Sequence, residues 1–114
     1  MSENNSHFLD ASDLPWMCAE TRGVSFKSLR FDHETRAGAV LVHMCPGTTY
    51  PRHHVHAGED VYVVDGELIL DERALGRGAY VWVAPGTVQA PRTDRGCVLF
   101  VTYPGPVEHL HDGA

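Results

Sequence analysis

PGTTYPRHHVHAGEDVYVVDG, residues 46–66, decides how this chain reads. A turn at Pro46-Gly47 leads into a short segment carrying His53, His54 and His56. Ala57-Gly58 marks a tight turn. Glu59 and Asp60 follow, and Val61 to Val64 run on to a second turn signal, Asp65-Gly66. Side chains along a strand alternate between its two faces. On that rule His54 and His56 share one face and His53 takes the other. Glu59 opens the next strand on the face of Val61 and Val63. Two imidazoles and a carboxylate arriving from neighbouring strands make a ligand set for a divalent transition metal such as iron, zinc, nickel or manganese. Two other registers stay open: His53 with His56, and Asp60 in place of Glu59.

The rest of the chain surrounds this stretch with strand-like runs. Residues 24–31 alternate apolar and polar with period two, and residues 39–45 are apolar on both faces, as in a doubly buried strand. Past Asp65-Gly66, residues 67–70 read as the hairpin partner of residues 61–64. Residues 71–78 read as a loop, 79–83 as a strand, 91–96 as a loop and 97–103 as a final strand. No stretch carries a helical period or helix caps. Short strands at regular spacing, punctuated by Gly and Pro, predict an all-β protein with an antiparallel sandwich or barrel architecture. Residues 1–13 read as a flexible arm, 14–106 as the one folded domain and 107–114 as a tail, with Trp16 docking the arm to the body. The arm and the apolar strand at 39–45 suggest a homodimer.

Composition narrows the function. At 114 residues the chain is long enough for one domain with a real core. A net charge of -6 with a single lysine, Lys27, argues against a nucleic-acid partner and against an anionic membrane surface. No apolar run reaches the length of a membrane span, and MSENNSHFLD lacks the features of a secretion signal. Cys18, Cys45 and Cys97 are odd in number and widely spaced, which points to a reducing, cytoplasmic setting. There is no nucleophile elbow and no Gly-rich phosphate loop.

The central stretch resembles the first cupin motif: G, five residues, H-x-H, three or four residues, E, six residues, G. Here six residues separate Gly47 from His54, two separate His56 from Glu59, and six separate Glu59 from Gly66. Gly78-Ala-Tyr-Val-Trp-Val-Ala-Pro85-Gly86-Thr-Val-Gln89 resembles the second cupin motif, with Gln89 at the histidine position and Thr93 at the asparagine position. The resemblance implies a single-domain RmlC-like cupin, a double-stranded β-helix or jelly-roll barrel. It implies metal ligation by His54, His56, Glu59 and Gln89, with Glu59 also able to act as general base. A glutamine oxygen is neutral and binds more weakly than imidazole, or else it holds a water or a ligand.

Leu14-Pro-Trp16, Gly23-Val-Ser-Phe-Lys27, Pro51-Arg-His, Gly66-Glu-Leu, Pro85-Gly-Thr and Gly96-Cys-Val-Leu-Phe together resemble the cupin half of ChrR-type anti-sigma factors. That resemblance implies a bound metal and a small-molecule ligand in the barrel. It extends to metal-dependent dioxygenases acting on aromatic or diketone substrates. A non-catalytic zinc or ligand sensor, a metal-dependent isomerase and a vestigial structural barrel are the alternatives. The helical half that grips a sigma factor has no counterpart before residue 14, so that partner is not carried over.

Overall fold

The computed structural model describes residues 5–109 and, among these, shows a nearly all-β molecule with one short 3-10 turn at Ala11–Asp13. Twelve strands follow in chain order: β1 Met17–Cys18, β2 Val24–Phe31, β3 Gly38–Met44, β4 Thr48–Thr49, β5 His53–Val55 and β6 Glu59–Leu70, then β7 Arg73–Gly76, β8 Tyr80–Val83, β9 Thr87–Gln89, β10 Arg92–Thr93, β11 Cys97–Tyr103 and β12 Val107–His109. Every pairing between them is antiparallel. One sheet runs β1-β2-β3-β11-β6, with β8 on the far side of β6. The second half of β6 leaves that sheet and pairs with β7 and β10, and β10 pairs with β4. A three-stranded sheet, β12-β5-β9, faces the first. Among the described residues no helix is long and apolar enough to cross a membrane.

The core follows from alternation. Val61 and Val63 of β6, Leu99 and Val101 of β11, and Val24 and Met44 from β2 and β3 are buried on the concave side. Leu68 and Leu70 continue this lining on the second half of β6. The convex side stays open, and there Tyr62, Tyr80, Trp82 and Phe100 remain exposed. Strand β3 is therefore only half-buried along most of its length, not covered on both faces as its apolar composition predicts. Its outer residue His43 packs beside Trp16, whose ring lies 4.8 Å from the Lys27 ammonium, so the arm does dock through Trp16.

Two expected turns move. Asp65-Gly66 is not a hairpin turn: β6 passes straight through it as one strand of 12 residues. Gly66 has φ +80° and sits beside a register shift between β6 and β11, the signature of a β-bulge that bends the strand from one sheet to the next. The true two-residue turn is Asp71-Glu72, both at positive φ, closing β6 onto β7 with Leu70 opposite Arg73. Residues 73–76 thus form a strand where the sequence reads as a loop. Strand β12 also lies in the stretch read as a tail; it returns to the body and pairs with β5.

Candidate functional site

The concave side encloses a cavity of about 920 Å³. Its polar wall is built where β5, β9 and the start of β6 meet. On β5, His53 is 5% exposed and Val55 is 1% exposed, so these two share the inward face. His54, between them, is on the opposite face and half-buried, while His56 is exposed beyond the strand end. The His54 and His56 rings pack on each other with centroids 4.1 Å apart, and neither lines the cavity. The structure therefore brings His53, not His54, to Glu59 and Gln89. The sequence-derived ligand set is divided between two faces of one strand.

Glu59 is 8% exposed and lines the cavity. Asp60 takes the other face of β6, where its carboxylate accepts hydrogen bonds from the Tyr80 and Thr102 hydroxyls. Gln89 is 8% exposed and stands directly opposite His53 in the β5–β9 register. No hydrogen bond reaches the Glu59 carboxylate or the Gln89 carboxamide from any described residue, although both are buried and face the cavity. Among the described residues no buried side-chain polar atom lacks a partner, so these two groups are not sealed away unsatisfied; they open onto the cavity, where a cation, water or ligand can reach them. Thr93, at the position of the second-motif asparagine, is fully buried, donating to the Glu67 carbonyl and accepting from the Gly96 amide.

The histidine is oriented from behind. His53 Nδ1 lies 3.2 Å from the Pro51 carbonyl oxygen, which can only accept, so Nδ1 carries the proton. In the neutral ring Nε2 then presents a lone pair, and it faces Glu59 Oε1 at 3.7 Å. That gap is too long for a hydrogen bond. Two acceptors facing each other need a positive species between them, either a proton or a metal ion. Nitrogen and oxygen donors that sit at about 2.1 Å from one ion can lie this far apart. The donor set of one imidazole, one carboxylate and one carboxamide oxygen therefore fits a divalent ion. Among the described residues no group of three His, Cys, Asp or Glu side chains converges as a metal cluster, so Gln89 is needed to make the third donor.

Tyr50 and Tyr103 complete the polar wall. The Tyr50 ring meets His53 edge-on at 5.3 Å. Burial pushes the Tyr50 phenol above its ordinary value, and the Glu59 and Tyr103 charges push the same way. Burial and then Glu59 raise Tyr103 likewise. Both phenols remain protonated and can donate hydrogen bonds into the cavity. Strand alternation counted from the H-x-H pair puts His53 on the outer face and leaves it only as an alternative with His56, although Val55, two positions on, marks the core face that His53 shares.

No curated protein matches the chain. Among solved structures, an RmlC-like cupin from Ralstonia eutropha JMP134 is 25% identical, with a TM-score of 0.83 over 95% of this chain and 74% of that one. An acetylacetone dioxygenase from Acinetobacter johnsonii shares the fold at 14% identity, with a TM-score of 0.85 over 98% of this chain and 83% of that one. ChrR of Rhodobacter sphaeroides, solved in complex with SigE, shares it at 21% identity and TM-score 0.71, over 82% of this chain and 51% of that one. The family profile described as the ChrR Cupin-like domain matches residues 4–108, and the chain belongs to that family of cupins.

Proposed function

We propose that this cupin binds a small molecule in its barrel next to a divalent transition ion held by His53, Glu59 and Gln89, and that it acts as a metal-dependent, dioxygenase-like oxidoreductase. The observation that carries the reading is the facing pair His53 Nε2 and Glu59 Oε1, 3.7 Å apart, with Gln89 opposite the histidine on the cavity wall. When bound, the ion would supply Lewis acidity and, as iron, a redox centre through which electrons pass from the substrate to dioxygen. Three protein donors leave coordination positions open, which favours chemistry over a closed structural site. Glu59 is the group able to take a proton from the substrate, since a carboxylate can serve as ligand or as base. Tyr50 and Tyr103 hold substrate oxygens as donors, and the apolar wall excludes water from the reacting end. The free thiols Cys18, Cys45 and Cys97 support a reducing, cytoplasmic setting.

Metal content of untagged protein tests this. The set to compare is wild type, His53→Ala and the double variant His54→Ala/His56→Ala, each checked for a cooperative melt. The expected result is near-stoichiometric metal in wild type and in the double variant, with at least tenfold loss in His53→Ala. Loss in the double variant alone would restore His54 and His56 as the ligands. Iron directs the search to oxygen consumption. Zinc favours the sensor or a non-redox enzyme such as an isomerase. No metal in any protein after reconstitution would leave a ligand-binding or structural barrel.

The homodimer is proposed on the convex face, where Tyr62, Tyr80, Trp82 and Phe100 form neighbouring cross-strand positions. An exposed aromatic sheet face of this kind suits a second copy of itself. Sedimentation equilibrium at micromolar concentration is expected to give a dimer, and Phe100→Glu a monomer.

A further inference from the structure

The cavity's polar and apolar parts are separated along the strands. Gly38 pairs with Tyr103 at one end of the large sheet, and Val24 pairs with Met44 at the other. Glu59 belongs to the Tyr103 end, because Asp60 is the partner of Thr102. From there Val101, Leu99 and Met44 lead away, and Leu68 and Leu70 close the far part of the cavity. Strand β2 spans this distance, roughly 20 Å at the rise of an extended strand. The space is thus a trough with its chemistry at one end and hydrocarbon walls along the rest.

Among the described residues the polar end carries one guanidinium. Of these residues Arg36 is the only basic side chain other than histidine lining the cavity, and no described acidic side chain pairs with it. It stands in the β2–β3 loop in a left-handed conformation, φ +66°. Its amide donates to the Asp32 carbonyl at 2.8 Å, and the Asp32 amide donates to the Ala37 carbonyl at 2.9 Å. The nearby acid is already engaged: the Asp32 carboxylate accepts from the Glu34 and Thr35 amides and lies 3.8 Å from Arg30. The loop therefore presents Arg36 at the cavity rim with its charge available to a ligand. Each end carries one lining carboxylate, Glu59 at this end and Glu20 at the other, and only this end adds a guanidinium to offset it. An anionic ligand has one preferred direction of entry.

We propose that the ligand of this cavity is an amphipathic carboxylate, a medium-length acyl or aryl-alkyl acid, with its carboxylate on Arg36 and its hydrocarbon along the Val101–Met44 wall. This rests on reading the cavity as the ligand site, but not on the metal. The volume of about 920 Å³ lies toward the upper end of small-molecule sites, more than a compact few-carbon substrate fills. Each methylene moved from water to the apolar wall strengthens binding by about fourfold. A guanidinium binds a carboxylate through paired, charge-assisted hydrogen bonds.

The test is calorimetric titration of chelator-treated, metal-free protein with hexanoate, octanoate and 1-octanol. Octanoate is expected to bind at least tenfold more tightly than hexanoate and more tightly than octanol. Arg36→Gln is expected to weaken octanoate about tenfold, to the level of octanol, and to leave octanol unchanged. Val42→Trp, which fills the middle of the trough, is expected to abolish the chain-length preference; Val40→Phe takes its place if the tryptophan variant does not fold. No binding of either acid at millimolar concentration, equal affinity for the two acids, or an Arg36→Gln variant with unaltered octanoate affinity would each overturn the proposal. The same protein reloaded with metal reports separately on the ion: metal uptake without octanoate binding sinks this inference alone, and octanoate binding without metal uptake sinks only the metal reading.

Discussion

Cys97 shows what a single buried group contributes. It is 4% exposed at the start of β11. Burial pushes its thiol from 9.0 up to about 11, and a hydrogen bond with Thr93 pulls partly back. The folded state therefore holds this proton more tightly than the unfolded chain. Its stabilising contribution is complete below pH 9 and disappears as pH climbs toward 11, a loss of order 2 kcal/mol. Tyr50 and Tyr103, both raised, add to the decline above pH 10. Urea unfolding at pH 8, 10 and 11 is expected to show falling stability, with a shallower fall in Cys97→Ala. The same scale explains what the sequence withheld at the site. Glu59 and Gln89 are legible as inward residues, because the valines of β6 and the turn at Pro85-Gly86 fix their phase. The histidine is not, because three of them lie within four positions and a motif template selects by spacing. The physics selects by burial: β5 is three residues long, and Val55 assigns its inward face to His53.

At the scale of elements, glycine and turn chemistry decide the path of β6. A side chain at Gly66 would collide with the Gly96 carbonyl oxygen, and the residue also has φ +80°. Gly66→Ala is expected to cost about 3 kcal/mol or more in equilibrium unfolding, because backbone cannot move aside as a flexible side chain can. The Asp71-Glu72 turn offers the opposite case. Both residues sit at positive φ, where Asn-Gly is preferred. Replacing them with Asn-Gly is expected to stabilise by about 1 kcal/mol, despite the loss of the Arg92–Glu72 ion pair. That pair spans 3.4 Å, but with Glu72 87% exposed it contributes little. The long strands β2, β3 and β11 are legible almost to the residue, because their apolar periods are strong. The sequence points to Asp65-Gly66 for the turn that Asp71-Glu72 makes, because Asp-Gly is a better hairpin signal than Asp-Glu. Local sequence does not reveal that Gly96 passes close to Gly66.

For the whole molecule, the all-β class and the two-sided barrel are legible from strand spacing and turn residues. The cavity's division into a charged end and a hydrocarbon end is not. Arg36 reads as one more polar loop residue, and only the pairing of Gly38 with Tyr103 carries its loop to the end that holds Glu59. The same pairing pattern has a consequence for how the protein is made. Strand β11 lies between β3 and β6, bonded to both, and it comes near the end of the chain. A ribosome translates strands β1 to β10 before the middle plank of the large sheet exists. Until residues 97–103 emerge, β3 and β6 present apolar strand edges to solvent with nothing between them. A chain released at residue 96 is expected to pellet, or to be held by chaperones, in cell-free translation. The 114-residue chain is expected to stay in the supernatant. Emergence of residues 97–103, rather than the appearance of the histidines, is then the moment at which the site can first be assembled.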